Sequence, residues 1–246
     1  MPKEHGSWSL ALEPVALGML IAPSAAGCAL VWTAFTVFFL RRPLKLVLSR
    51  KPDPRTTLAS VIVVALSTIA LTGLFLAVAL GNIKDLWPLI PAAIAGIGFA
   101  WFDSHNEGRE GAAELCGATA FSVLPATFAK LAGWSITESA ALASVMLVRS
   151  VPTVLFVRTC LRHNKGQAAS PAPAFIASLL GLTLTVWLAY ARLAPWPAAI
   201  LAAFLTAMTF WVLAGRRRFT AKRIGLVELT FGVVMVLTLA MTWKSH

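Results

Sequence analysis

Thr57-Leu-Ala-Ser-Val-Ile-Val-Val-Ala-Leu-Ser-Thr-Ile-Ala-Leu-Thr-Gly-Leu-Phe-Leu-Ala-Val-Ala-Leu80 decides the fold class. A helix that crosses a bilayer needs about 20 mostly apolar residues, because without water every backbone N–H and C=O must be paired inside the segment. This stretch exceeds that length without one charge, and its neighbours repeat the pattern. The chain is 58% hydrophobic and only 13% charged, too apolar for soluble domains of its 246 residues. Apolar runs between charge or Gly/Pro breaks predict nine spans near 9–23, 26–42, 57–80, 86–102, 112–132, 138–159, 172–191, 195–214 and 224–243. The expected architecture is an all-α, polytopic transmembrane bundle forming one integral membrane domain over 1–246. Between Trp8 and Arg41 the only punctuation is Pro23, Ser24 and Gly27, which leaves open two spans or one broken helix followed by a re-entrant piece.

Lys and Arg concentrate in cytoplasmic loops. Alternate loops here hold sixteen against four, with Arg149 left inside a span. The basic side carries Arg41 to Arg55, Arg158 to Lys165 and Arg216 to Arg223, which predicts the N-terminus inside and the C-terminus outside a bacterial cytoplasmic membrane. The same distribution argues against nucleic acid as the partner, despite a net charge of +11: the cations lie in short clusters between apolar runs, as topology requires, and the lipid bilayer is the expected partner. Glu13 and Pro14 interrupt the apolar region that a cleaved signal peptide would need. Cys28, Cys116 and Cys160 lack paired or cluster spacing, so they read as reduced packing residues, and haem or iron–sulfur ligation is not expected. Trp87, Trp134, Trp187, Trp196 and Trp243 fall near span ends, where an indole anchors at the headgroups. Oligomeric state is not encoded in any of these features.

Ionisable residues inside spans or at their cytoplasmic ends are the first functional candidates, since a charge at the bilayer centre costs about 2.5 to 3.5 kcal/mol on insertion scales. Four stand out: Glu13, Glu114, Arg149 and Glu228. Arg149 precedes Arg158 by nine residues, about 13 Å of helix, too deep for its head to reach the surface comfortably. Either it pairs internally with Glu13, Glu114 or Glu228, or it binds an anion in a polar cavity. The loop Asp103-Ser-His-Asn-Glu-Gly-Arg-Glu-Gly-Ala-Ala-Glu114 is the densest acidic stretch. Carboxylates at 103, 107, 110 and 114 would share one face if the segment were helical, and Glu107, Glu110 and Glu114 could then hold Mg²⁺ bridged to phosphate oxygens. The alternative is an acidic helix start favoured by the helix dipole. His5 and His105 are candidates for proton transfer, while His163 reads as solvated. Arg41 and Arg42, ending a span directly, are candidates for lipid phosphate; the triplet Arg216 to Arg218 reads as a generic stop.

The opening Pro2-Lys-Glu-His-Gly-Ser-Trp8 resembles the start of the YwiC-like membrane protein family, and Glu114-Leu-Cys-Gly117, Arg149-Ser-Val-Pro152 and Lys222-Arg-Ile-Gly225 with Glu228 extend the resemblance along nearly the whole chain. That family implies no settled activity. A looser resemblance is to intramembrane prenyltransferases of the UbiA type, which have nine helices with cytoplasmic catalytic loops. Gly117 to Gly133 is similar to their glycine-rich fifth helix, and Arg149 to Arg162 stands in the place of their sixth helix and the loop after it. The Asp-rich motifs that hold Mg²⁺ and a prenyl diphosphate in those enzymes are replaced here by the basic stretches Arg41 to Arg55 and Arg158 to Lys165. Asn106-Glu107-x-x-Glu110-x-x-x-Glu114 repeats the first motif's spacing, with Glu for Asp, in a different loop.

Together these readings predict a UbiA-like bundle with a cytoplasm-facing polar cavity, lined by His5, Glu13, Glu107, Glu110, Glu114, Arg149 and Arg158. It would bind or transfer an isoprenoid or other lipid-linked anionic substrate. Asp103, Asn106 and Glu228 join Arg41, Arg42 and Arg158 as candidate substrate contacts. The alternative is a non-enzymatic transporter or membrane partner subunit in which Glu13, Arg149 and Glu228 form an ion-pair network.

Overall fold

The computed structural model describes residues 5–48, 54–105, 107–108, 110–217 and 219–243, with side chains from residue 11 onward. The described residues are helical or connecting, with no strand among them. The elements are α1 (His5–Ile21), α2 (Ala25–Leu48), α3 (Thr56–Leu80), α4 (Leu89–Ser104), α5 (Gly111–Ser122), α6 (Leu124–Leu131), α7 (Ile136–Asn164), α8 (Ala172–Tyr190), α9 (Trp196–Ala214) and α10 (Ala221–Thr242), with a 3₁₀ turn at Ile83–Leu86.

Seven segments are long and apolar enough to cross a membrane: α2, α3, α5 with α6, and α7 to α10; α1 and α4 are shorter apolar helices. The outward faces stay apolar, as on α3 at Val61, Val64, Leu71 and Phe75 and on α4 at Ile90, Ile94 and Ile97. Such surfaces suit lipid, since a soluble monomer rarely exposes so large a continuous apolar area. Inside, small residues let helices approach: Ala70, Gly73 and Ala77 of α3 are buried, and α2 packs closely along α3.

The helices follow the expected segments closely, and the differences have local causes. The break at Pro23 and Ser24 yields two separate helices, because Ser24 Oγ accepts from the Gly27 N–H at 2.9 Å and so caps α2. The predicted span over 112–132 is found as Gly111–Leu131, with a break at Val123: Pro125, two residues on, lacks an N–H and so starts α6 rather than continuing α5. α2 continues past Arg42 through Pro43 to Leu48. Phe128 of α6 is wholly buried against Gly18 and Gly27. α7, the longest and most buried helix, starts with a capping box between Ser135 and Glu138 and packs on α5, α6, α8 and α9. α1 packs on α10, α5 and α6, so the first and last helices meet.

Of the tryptophans read as anchors, Trp87, Trp187 and Trp196 are exposed, but Trp243 is buried at 9% and belongs to the main core cluster with Leu239 and Leu17. Trp134 also packs against that core. Cys28, Cys116 and Cys160 are free thiols.

Candidate functional site

Among the described residues, the candidate ionisable side chains gather in two places. The first is in the interior, where α1, α7 and α10 converge. Glu13, Arg149 and Glu228 are 7%, 2% and 6% exposed, so each buried charged group needs its partners close at hand. Arg149 Nη1 donates to Glu228 Oε2 at 2.7 Å, and Nη2 donates to the Glu228 main-chain carbonyl at 2.8 Å. Nη2 also donates to Glu13 Oε1 at 3.4 Å. Arg149 Nε lies 3.3 Å from Glu13 Oε2, near enough to pair in charge but without the alignment of a hydrogen bond. The guanidinium stands 5.1 Å from the Phe231 ring centroid.

Two supporting residues escaped the sequence reading. Thr153, one turn along α7, accepts from Arg149 Nη1 and donates to Glu228 Oε2 at 3.4 Å. Gly232, one turn beyond Glu228, leaves the space that the Glu13 carboxylate fills, since a Cβ there would collide with it. The signal that could have found both is the interval of four residues from Arg149 and from Glu228, which places them on the same helix faces. A cavity of about 10 Å³ adjoins Arg149, lined by Val148, Thr185, Ala202, Leu205, Phe231 and Met235 among others. Its volume is about that of one water-sized probe.

The second place is the end of the bundle where α2, α4 and α7 finish and α5 begins. Asp103 is buried at 5% and receives Lys45 Nζ at 2.9 Å and Arg41 Nε at 3.4 Å. Arg41 also stands over the Phe99 ring at 4.4 Å. Arg158 Nη1 donates to Glu114 Oε2 at 3.2 Å, and its Nη2 lies 3.6 Å from Glu110 Oε2. One short turn joins the two groups: Gly108 abuts Asp103, and Gly111 abuts the Arg158 guanidinium. Gly108 and Gly111 are three residues apart, at most about 10 Å of chain, so the Arg41–Lys45 pair and Arg158 face neighbouring points of the connection between α4 and α5.

The candidates therefore divide by depth. Arg149 takes Glu13 and Glu228 as partners, while Glu114 turns to Arg158. The common face of four carboxylates does not form, because α4 ends at Ser104 and Glu110 is extended before α5; the helical condition for that stripe is not met. Among the described residues no three His, Cys, Asp or Glu side chains converge as metal ligands. Glu107 is exposed, and Glu110 and Glu114 face a guanidinium. Arg42 is exposed. Asn106 and the His5 side chain lie outside the described residues. His105 is exposed, with Nδ1 2.8 Å from the Trp101 carbonyl and its ring against the Trp101 indole. His163 is half-buried, with Nε2 3.0 Å from the Ala169 carbonyl.

These features define a helical, membrane-compatible bundle with one buried Glu–Arg–Glu cluster and one basic end. The model of the YwiC-like protein family matches residues 1–129, more than half of the chain, and the protein belongs to that family. The match covers Glu13, Arg41, Asp103 and Glu114 and stops before α7, so Arg149, Arg158 and Glu228 lie beyond it. No curated protein and no solved structure matches.

Proposed function

We propose that this YwiC-like protein binds the anionic headgroup of an isoprenoid or other lipid-linked substrate at the basic end of its bundle. The carrying observation is the gathering of Arg41, Lys45 and Arg158 around the turn between α4 and α5. Each cation is only partly buried and already faces a carboxylate. A phosphate would replace Asp103, Glu110 or Glu114 with a more highly charged acceptor, for which guanidinium groups have matching geometry. The chain's positive-inside pattern supports placing this end in the cytoplasm, and in this reading the bundle has a UbiA-like arrangement.

In a transfer reaction, Arg41 and Arg158 would stabilise the charge developing on a leaving diphosphate, and the exposed Glu107 carboxylate or His105 imidazole would take the acceptor's proton. In this reading the cations hold the headgroup directly and binding is metal-free. The test is native mass spectrometry of the gently purified protein with geranylgeranyl diphosphate, with and without Mg²⁺. An adduct independent of Mg²⁺, lost in Arg41→Ala with Arg158→Ala, is the expected result. An adduct that survives both substitutions would overturn it.

A second reading, a transporter or membrane partner subunit, is favoured by one specific observation. Arg149 directs its donors to Glu13, Glu228, Thr153 and the Glu228 carbonyl, and the cavity beside it is water-sized. In that reading Glu13 and Arg149 hold or gate the bundle and touch no substrate.

A further inference from the structure

We infer that the outward face of α9 and the basic turn after it form a docking site for an anionic phospholipid, with Arg217 on the phosphate and the stripe ending at Trp211 along an acyl chain. The site is separate from the headgroup site proposed above, which Arg41, Lys45 and Arg158 form on other elements.

The argument starts from the charges. The sequence carries no Asp or Glu from 139 to 227. Over that stretch Arg162, Lys165, Arg216, Arg217, Lys222 and Arg223 are all exposed, and the ion pairs found among the described residues lie elsewhere. Arg218 is outside the described residues. Packing brings the two basic loops to one end of the bundle. Cys160 of α7, Ala174 of α8, Leu213 of α9 and Ile224 of α10 share one buried cluster. The Asn164 side-chain amide donates to the Phe219 carbonyl, which ties the end of α7 to the turn between α9 and α10. Cations gathered without a carboxylate repel one another, so an anion is the partner that relieves them.

A topological stop needs only cations that extend into water, and Arg217 does the opposite. α9 ends with Arg216 in the left-handed region, at φ 45°. The Arg216 N–H donates to the Leu213 carbonyl and the Arg217 N–H to the Val212 carbonyl, which closes the helix end. Arg217 thereby turns back along α9, and its guanidinium stands over the Trp211 indole, 3.8 Å from the ring centroid. Gly215 lies beneath this side chain: a Cβ there would come to 3.3 Å from Arg217 Nε. Phe219 flanks the same indole, with the ring centroids 6.4 Å apart. A guanidinium stacked by its face keeps its in-plane N–H donors for phosphate oxygens.

The second observation is apolar. Ile200, Phe204 and Trp211 are 65%, 59% and 54% exposed, and their spacing of four and seven residues places them on one face of α9. Eleven residues of helix measure about 16 Å, close to half of a hydrocarbon core of about 30 Å. The stripe therefore runs the depth of one leaflet and ends beneath Arg217. An acidic protein or a nucleic acid would meet the cations but leave this stripe unused, whereas a phospholipid covers both.

Photo-crosslinking of the full chain in nanodiscs of mixed phosphatidylglycerol and phosphatidylcholine tests the site. A trace of either lipid carries a diazirine in its upper acyl chain, and peptide mass spectrometry maps the adducts. The phosphatidylglycerol probe should label the last two turns of α9 and the turn after it about fivefold more than the phosphatidylcholine probe, the effect of one cation near an anionic surface. Arg217→Ala should remove most of this excess. Arg41→Ala with Arg158→Ala should keep it, so the two headgroup sites succeed or fail separately. Equal labelling by the two probes in the wild type, an excess unchanged in Arg217→Ala, or its suppression by soluble glycerol phosphate would overturn the inference. The comparison of probes on the wild type stands even where a variant fails to fold.

Discussion

Arg149 and Glu228 hold α7 to α10 through two contacts of different kind, one to the Glu228 carboxylate at 2.7 Å and one to its main-chain carbonyl at 2.8 Å. Only the first depends on the side chain of Glu228, so the arginine is the less replaceable partner.

Arg149→Met should therefore destabilise the protein strongly, by about 3 to 5 kcal/mol, the range for removing one member of a buried pair. Glu228→Gln, which keeps the shape and leaves Glu13 in place, should cost clearly less. Unfolding of both variants in bicelles checks the order, and equal losses would contradict the asymmetry.

Gly232→Ala should press a methyl group into the Glu13 carboxylate. Overpacking of this kind costs about 1 to 3 kcal/mol. Glu13→Asp in the same chain withdraws the carboxylate by one methylene and should recover part of the loss. A double-mutant cycle measures the coupling; simple additivity would mean that the two residues do not meet.

Gly18→Ala should be destabilising for a similar reason, because the added Cβ overlaps the ring of the buried Phe128. Phe128→Leu should lose stability alone and relieve the Gly18→Ala penalty when combined with it. Thermal unfolding of the three proteins reads out the pair.

At the basic end the expectation is of the opposite sign. Arg41 and Lys45 are 31% and 40% exposed at their side chains, so their pairing with Asp103 is screened and worth at most about 1 kcal/mol. Asp103→Asn should change stability little but take away the carboxylate charge that Arg41 and Lys45 share, tightening binding of an anionic lipid headgroup by up to about fivefold. Unchanged or weaker binding in a vesicle titration would count against the proposed headgroup site.

Orientation is open to labelling in intact cells. In a chain free of native cysteines, an impermeant maleimide should react with Lys84→Cys and spare Arg162→Cys; both positions are exposed and lie at opposite ends of the bundle. The reverse pattern would place the N-terminus outside.

Long apolar segments were legible from the sequence because, in a bilayer, the pairing of backbone groups depends on the segment itself. The stretch 57–80 needs no knowledge of its neighbours to be read as a helix, and α3 runs over Thr56–Leu80. The YwiC-like resemblance was legible as well, from the phrase beginning at Pro2. The depth of Arg149 followed from its distance to Arg158, and Glu13 and Glu228 were among its candidate partners. What the sequence left undecided was which acid each arginine meets. Glu114 was an equal candidate for Arg149, yet it sits on Arg158 because α5 begins at Gly111, at the end of the bundle where α7 finishes. The acidic stripe failed for the same kind of reason: four carboxylates at helical spacing share a face only if one helix carries them, and α4 ends at Ser104 while α5 begins only at Gly111. Thr153, Gly232 and the burial of Trp243 were likewise decided by helices far apart in sequence. Composition determines whether a segment can live in lipid; which polar groups meet inside depends on rotation and depth of neighbouring helices, and only their packing sets those.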